Sequence, residues 1–218
     1  MISWVLFTSS ANAAEFADNS LLHYGGGGLM LEVLTFDQRQ LNQILVENGF
    51  TPMKNRLSIY GGNFFSQTDN NFRYSFFGAL GGVSTHTPGG KAAILSLSHL
   101  GVWLEQVIPL TKHFSLNGGL ATSFGGMDLH LIHQSLDDYT EGFFRPQQTL
   151  INTLFLMAKP QLGLSYSLGR YFDLEVKVGY YYLQTLGGWR QGKEKVSGDQ
   201  MLTSLSGVAY LLNLNFGF

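Results

Sequence analysis

From Val208 to the carboxyl terminus every second residue is large and apolar: Val208, Tyr210, Leu212, Leu214, Phe216 and Phe218. The residues between them, Ala209, Asn213, Asn215 and Gly217, are small or polar, with Leu211 the exception. A helix would scatter this pattern around its circumference. A strand sorts it onto two faces, because successive side chains point to opposite sides. The chain therefore ends in a strand whose two faces need different surroundings.

The same period-two reading over the whole sequence predicts eight strands: Leu21–Leu34, Arg56–Ser66, Phe72–Ser84, Ala92–Ile108, Phe114–His133, Thr149–Leu168, Phe172–Leu186 and Met201–Phe218. The connectors alternate in length. Those at 67–71, 109–113 and 169–171 are short, and those at 35–55, 134–148 and 187–200 are long, with 85–91 between the two classes. An even number of antiparallel strands returns both termini to the short-turn end. The expected fold is an all-β, eight-stranded, antiparallel up-and-down barrel of one domain, with a short helix in its first long loop.

Alternation alone does not say which face points out, since a soluble lipocalin-like ligand-binding barrel hides its apolar face inside. Composition bears on this. Charged residues are 13% of the 218, against 44% hydrophobic and 14% aromatic, too few to wet the outside of a sheet this large. In the seventh strand Phe172, Leu174, Val176, Val178, Tyr180 and Tyr182 share one face, and Asp173, Glu175, Lys177 and Gly179 the other. The polar faces are sparse and rich in small residues, which suits a crowded lumen. The apolar faces are placed outward, against lipid, making the barrel transmembrane.

That orientation turns Arg73, Lys159, Asp173, Glu175 and Lys177 inward. Glu105 joins them if a bulge near His99-Leu100 shifts its strand, because Leu95 and Leu97 are out of phase with Leu100, Val102 and Leu104. Buried charges must pair. The expectation is a lumenal network of Arg73, Lys159 and Lys177 with Glu105, Asp173 and Glu175, a structural plug and not an ion pathway, since eight strands enclose little more than their own side chains.

The terminal segment, with apolar or aromatic residues at Tyr210, Leu212, Leu214, Phe216 and Phe218, resembles the closing strand of bacterial outer-membrane β-barrels, specifically the small eight-stranded opacity-type class. The resemblance implies an outer-membrane location with both termini periplasmic. It also implies that these five residues are the assembly signal read by the barrel insertion machinery, and that outer-membrane lipid and lipopolysaccharide are neighbours of a monomer. Near the start, Ile2–Phe7 is an apolar run and Ala11-Asn12-Ala13 an A-x-A cleavage motif, so residues 1–13 read as a signal peptide. No Lys or Arg precedes Arg39, so the basic region of that signal is expected upstream of Met1.

The period changes between Thr35 and Phe50. Thr35 with Gln38 is a candidate capping box, Asp37 falls in the first turn, Gly49 is a left-handed stop, and Leu41, Ile44 and Leu45 share a face. This helix is expected to cap the barrel mouth or lie at the lipid interface.

Several chemistries find little support. A net charge of −2 gives no basic footprint for nucleic acid, and without cysteine there is neither a disulfide framework nor a thiolate metal site. His130 and His133, three apart on a strand, point to opposite faces and do not form a metal pair. No cofactor is expected. The remaining histidines read as ordinary loop or interfacial residues, and Phe143, Phe144 and Trp189 as exposed loop aromatics. A histidine two residues before a serine, His133 and Ser135, is similar to the lipid A deacylases. That similarity implies an acyl hydrolase using the pair with a carboxylate. Those enzymes carry Asn after the serine, and Leu136 stands here. The leading expectation is a non-enzymatic scaffold displaying loops for envelope integrity, adhesion or ligand contact.

Overall fold

The computed structural model describes residues 25–133, 147–169, 171–196 and 204–217, with the side chains of Gln147 and Lys195 excepted. Its strands are β1 (Gly26–Thr35), β2 (Arg56–Gln67), β3 (Phe72–His86), β4 (Ala92–Pro109), β5 (Phe114–His133), β6 (Gln147–Ser167), β7 (Phe172–Gln191), β8 (Glu194–Lys195) and β9 (Ser204–Gly217), with one helix, α1 (Arg39–Glu47). Each long strand pairs antiparallel with its neighbours in sequence, β9 pairs with both β7 and β1, and β6 with β7. The eight long strands therefore close on themselves, leaving no edge among them. The two-residue β8 folds back on the end of β7.

The apolar faces point outward. Leu29, Phe64, Phe76, Leu100, Leu120, Leu162, Val176, Tyr180 and Tyr210 are all exposed, Phe64 at 75% and Leu100 at 71%. Ringed pairs gather near the short turns, Phe114 with Tyr166 at 4.8 Å between centroids and Phe172 with Phe216 at 5.3 Å. A soluble ligand-binding barrel has the opposite arrangement. In the terminal strand Tyr210 and Leu212 face outward and Asn213 and Asn215 are buried. Phe218, residues 1–13 and the 134–146 connector lie outside the described residues.

Three expectations about local structure need correction. No bulge interrupts β4 near His99-Leu100: its ladders to β3 and β5 run without a shift from Ala92 to Gln106. Leu95 and Leu97 are out of phase because they face the lumen, where they are almost wholly buried. The one register shift on the β6–β7 ladder lies between Asn152 and Leu154. Second, the 187–200 connector is shorter than predicted, since β7 runs on to Gln191 and Trp189 is buried in the core instead of exposed.

Third, the capping box does not form. The Thr35 hydroxyl donates to Val208 O at 2.9 Å, finishing the β1–β9 ladder, and Asp37 accepts the Arg39 backbone N–H at 3.0 Å in its place. The C-terminal stop is as read. Gly49 adopts φ 76°, its N–H reaches Val46 O at 2.9 Å and that of Phe50 reaches Leu45 O at 2.8 Å, the paired bonds of a Schellman motif.

Helix α1 is short, and burial holds it in place. Leu41 and Leu45, with Phe36, Phe50 and Met53 on either side, join the lumenal residues Leu34, Leu57, Leu95, Met127, Leu129, Phe155, Leu183 and Trp189 in one buried apolar cluster. The side chain of Asn42 ties the two flanks of the loop together, accepting from Met53 N and donating to Met53 O. The Thr87 hydroxyl in the β3–β4 connector accepts from Thr51 N at 2.7 Å. The helix thus covers the mouth of the lumen and does not lie on the outer wall.

Candidate functional site: the charged lumen and its plug

The inward face of β4 gives the lumen's layers in order: Glu105, Trp103, Gly101, His99, Leu97, Leu95 and Ala93. At the level of Glu105, four charges from three strands meet. Arg73 Nη2 lies 2.5 Å from Glu175 Oε1 and 3.2 Å from Glu105 Oε2; Lys177 Nζ lies 2.5 Å from Glu105 Oε1 and 3.1 Å from Glu175 Oε2. Each carboxylate therefore sees both cations. Asn117 and Ser165 donate to Glu175 Oε1, Asn213 donates to its Oε2 at 2.9 Å, and Gln161 donates to Glu105 Oε1 at 2.9 Å. Burying these four charges singly would cost several kcal/mol each, of which pairing and the amide donors recover a large part.

Above this layer sits an aromatic one. The Lys177 ammonium lies 4.5 Å from the Trp103 ring centroid, and Phe77 stacks on that ring at 4.7 Å. Gly101 makes room for it: a Cβ there would collide with the Phe77 ring and with Ser123. A second polar layer follows, where Lys159 pairs with Glu32 and His99 Nδ1 lies 3.0 Å from Ser123 Oγ. The apolar cluster and α1 complete the stack.

Sequence reasoning found five of the paired lumenal charges and missed one. Arg73, Glu105, Lys159, Glu175 and Lys177 are all at most 6% exposed and paired. The partner of Lys159 is Glu32; Asp173, expected within the network, is half-buried at the turn end of β7. Glu32 stands between Leu31 and Val33 in a predominantly apolar run, yet the alternation of β1 does place it inward with Met30 and Leu34, so the signal was present. His99 also departs from expectation, being buried in the lumen and not interfacial.

The catalytic candidates are not assembled by anything described. His133, at the end of β5, packs edge-on against Phe50 at 5.1 Å. Ser135 lies outside the described residues. His130 is on the outer face with Nε2 3.0 Å from Gln148 Oε1. Among the described residues no group of three His, Asp or Glu side chains is arranged to hold a metal ion.

No protein family and no curated protein matches this chain by sequence. Among solved structures it is similar to two of Ail, the attachment invasion locus protein of Yersinia pestis. One, in complex with the heparin analogue sucrose octasulfate, aligns at TM-score 0.47 with 10% identity over 89% of this chain and 99% of that chain. The other aligns at TM-score 0.41 with 11% identity over 89% and 97%. The barrel assignment itself rests on the closed strand ladder.

Proposed function

We propose that this chain is a non-enzymatic barrel of the bacterial outer membrane, a scaffold that holds its long connections outside the cell for envelope integrity, adhesion or ligand contact. The observation that carries this reading is the inversion of the barrel: large apolar side chains outside, paired charges inside. Along β5 the outward residues Phe114, Leu116, Gly118, Leu120, Thr122, Phe124 and Gly126 carry no charge. At ~3.4 Å per residue and a tilt of ~40° that stretch rises roughly 30 Å, enough for the apolar band of an outer-membrane barrel at ~25 Å. Such a wall would be insoluble without lipid.

In this reading the short turns and both termini are periplasmic, residues 1–13 are a signal peptide removed before Ala14, and the outward residues of β9 with Phe218 are read by the insertion machinery. The lumen is filled by its ion pairs, aromatic layer and plug, so the barrel acts as a stalk and not as a pore. Cell fractionation with a boiled-against-unboiled gel shift tests this: the chain is expected in the detergent-extracted envelope, with the unboiled form migrating apart from the boiled one. Recovery from the soluble fraction without detergent would defeat it.

The enzymatic alternative, a lipid A acyl hydrolase, keeps one specific handle in His133 and Ser135. Lipid A from a deletion strain, complemented with wild type, His133→Ala or Ser135→Ala, is expected to show the same acylation by mass spectrometry in every case. Acyl chains lost only with the wild-type gene would establish the enzyme instead.

A further inference from the structure

One inward row at the turn end of the lumen consists of oxygen-bearing side chains around a gap. Asp173 on β7 lies opposite Asn215 on β9, Asn215 opposite Gly28 on β1, and Gly28 opposite Asn63 on β2. Asn63 and Asn215 are 4% and 1% exposed, whereas Gly28 between them keeps accessible surface. A Cβ on Gly28 would collide with Asn215 Oδ1, and would lie 2.5 Å from Asn63 Oδ1 and 2.9 Å from Leu214 O. The glycine thus makes a notch on which three oxygens converge.

The row does not satisfy itself. The two amides could pair with each other, but Asn63 Nδ2 reaches Asn215 Oδ1 only at 3.4 Å, and Asn63 Oδ1 has no hydrogen-bond partner among the described residues. A buried amide oxygen left in that state is costly. Charge is unbalanced at the same place. Glu32 is matched by Lys159, and Glu105 and Glu175 by Arg73 and Lys177. Asp173 is the inward carboxylate left over, with no hydrogen bond or ion pair to another described residue; Arg73 feels its charge without touching it.

We infer that the Gly28 notch binds a monovalent metal cation of the sodium type, held by Asn63 Oδ1, Asn215 Oδ1 and Leu214 O and balanced by the Asp173 carboxylate. Hard cations take oxygen ligands, and amide and backbone carbonyls are among those they use. A single positive charge restores neutrality to the lumen. A divalent ion would leave one charge in excess near Arg73 and Lys177. Asp173, half-buried at the mouth, is the way in, and water entering there completes the coordination, so binding is weak and exchangeable. The inference concerns the lumen alone and holds whichever compartment the short turns face.

The test follows thermal unfolding of the full chain, refolded in uncharged detergent, in sodium chloride against choline chloride at equal ionic strength. Choline is too large for the notch. Wild type is expected to gain roughly 3–6 °C in Tm for each tenfold rise in sodium beyond half-saturation, with no comparable gain in choline. Gly28→Ala fills the notch with a methyl group, and Asp173→Asn keeps the shape of the row while removing its charge. Each should lose most of the sodium-specific gain, and Asp173→Asn decides the matter even if Gly28→Ala does not refold. Equal gains in the two salts would reduce the effect to screening and overturn the site. So would the absence of any gain, its retention in Asp173→Asn, or a larger gain with calcium than with sodium at matched ionic strength.

Discussion

At Gly101 the inward face of β4 changes character: toward the short turns it carries Trp103 and Glu105, and toward the long connections Leu97 and Leu95 beyond a single polar step at His99. The turn half of the lumen is filled by ions and amides from strands far apart in sequence. The plug half is filled by hydrocarbon and closed by a helix. Both are buried, and both occlude the barrel, but they differ in what a defect costs. A lost methyl group leaves a cavity; a lost charge leaves its partner unpaired in low dielectric. The turn half is therefore expected to be the more brittle, and the plug half the more forgiving.

The largest effect should come from Glu175→Ala, which leaves Arg73 and Lys177 sharing Glu105 alone. A loss of about 3–5 kcal/mol is expected in reversible urea unfolding from lipid vesicles. A loss under about 1 kcal/mol would show the network to be well hydrated and the comparison mistaken. Arg73→Met/Glu175→Met removes a cation and an anion together, and should recover most of that loss despite deleting twice as many charges. A double variant weaker than Glu175→Ala would contradict the pairing seen here.

In the plug, Leu45→Ala should cost about 2–4 kcal/mol. It should act mainly on α1, so hydrogen exchange of the helix amides is the sensitive readout, with β4 and β7 protection little changed. Exchange rising equally in barrel and helix would mean the plug and the wall unfold as one unit. The smallest effect is a gain. Gln38 is 3% exposed and neither atom of its amide has a hydrogen-bond partner among the described residues. Gln38→Leu is expected to slow helix exchange, corresponding to about 1 kcal/mol. Faster exchange would show that the amide has a use in the plug.

The wall was more legible than the interior. Strand count, alternation and loop lengths follow from local pattern, because period two and turn chemistry act over a few residues. The inward set on β7 was readable directly, Asp173, Glu175 and Lys177 alternating with an unbroken apolar file. On β4 the same reasoning faltered because it assumed a polar lumen throughout. Leu95 and Leu97 seemed to need a bulge only until α1 gave the plug half an apolar ceiling. Thr35 misled for a similar reason: its hydroxyl had two uses, and the β9 backbone, 173 residues away in sequence, claimed it.

By itself the chain determined that its strands are two-faced, that too little charge exists to wet the broad side, and that Arg73, Glu105, Lys159, Glu175 and Lys177 would need company inside. Only the closed barrel decided who keeps that company. Lys159 is 127 residues from Glu32 and Arg73 is 102 from Glu175, distances over which no local preference acts. Shear between the strands sets which side chains share a level, and the electrostatic cost of an unmatched ion then selects the partners.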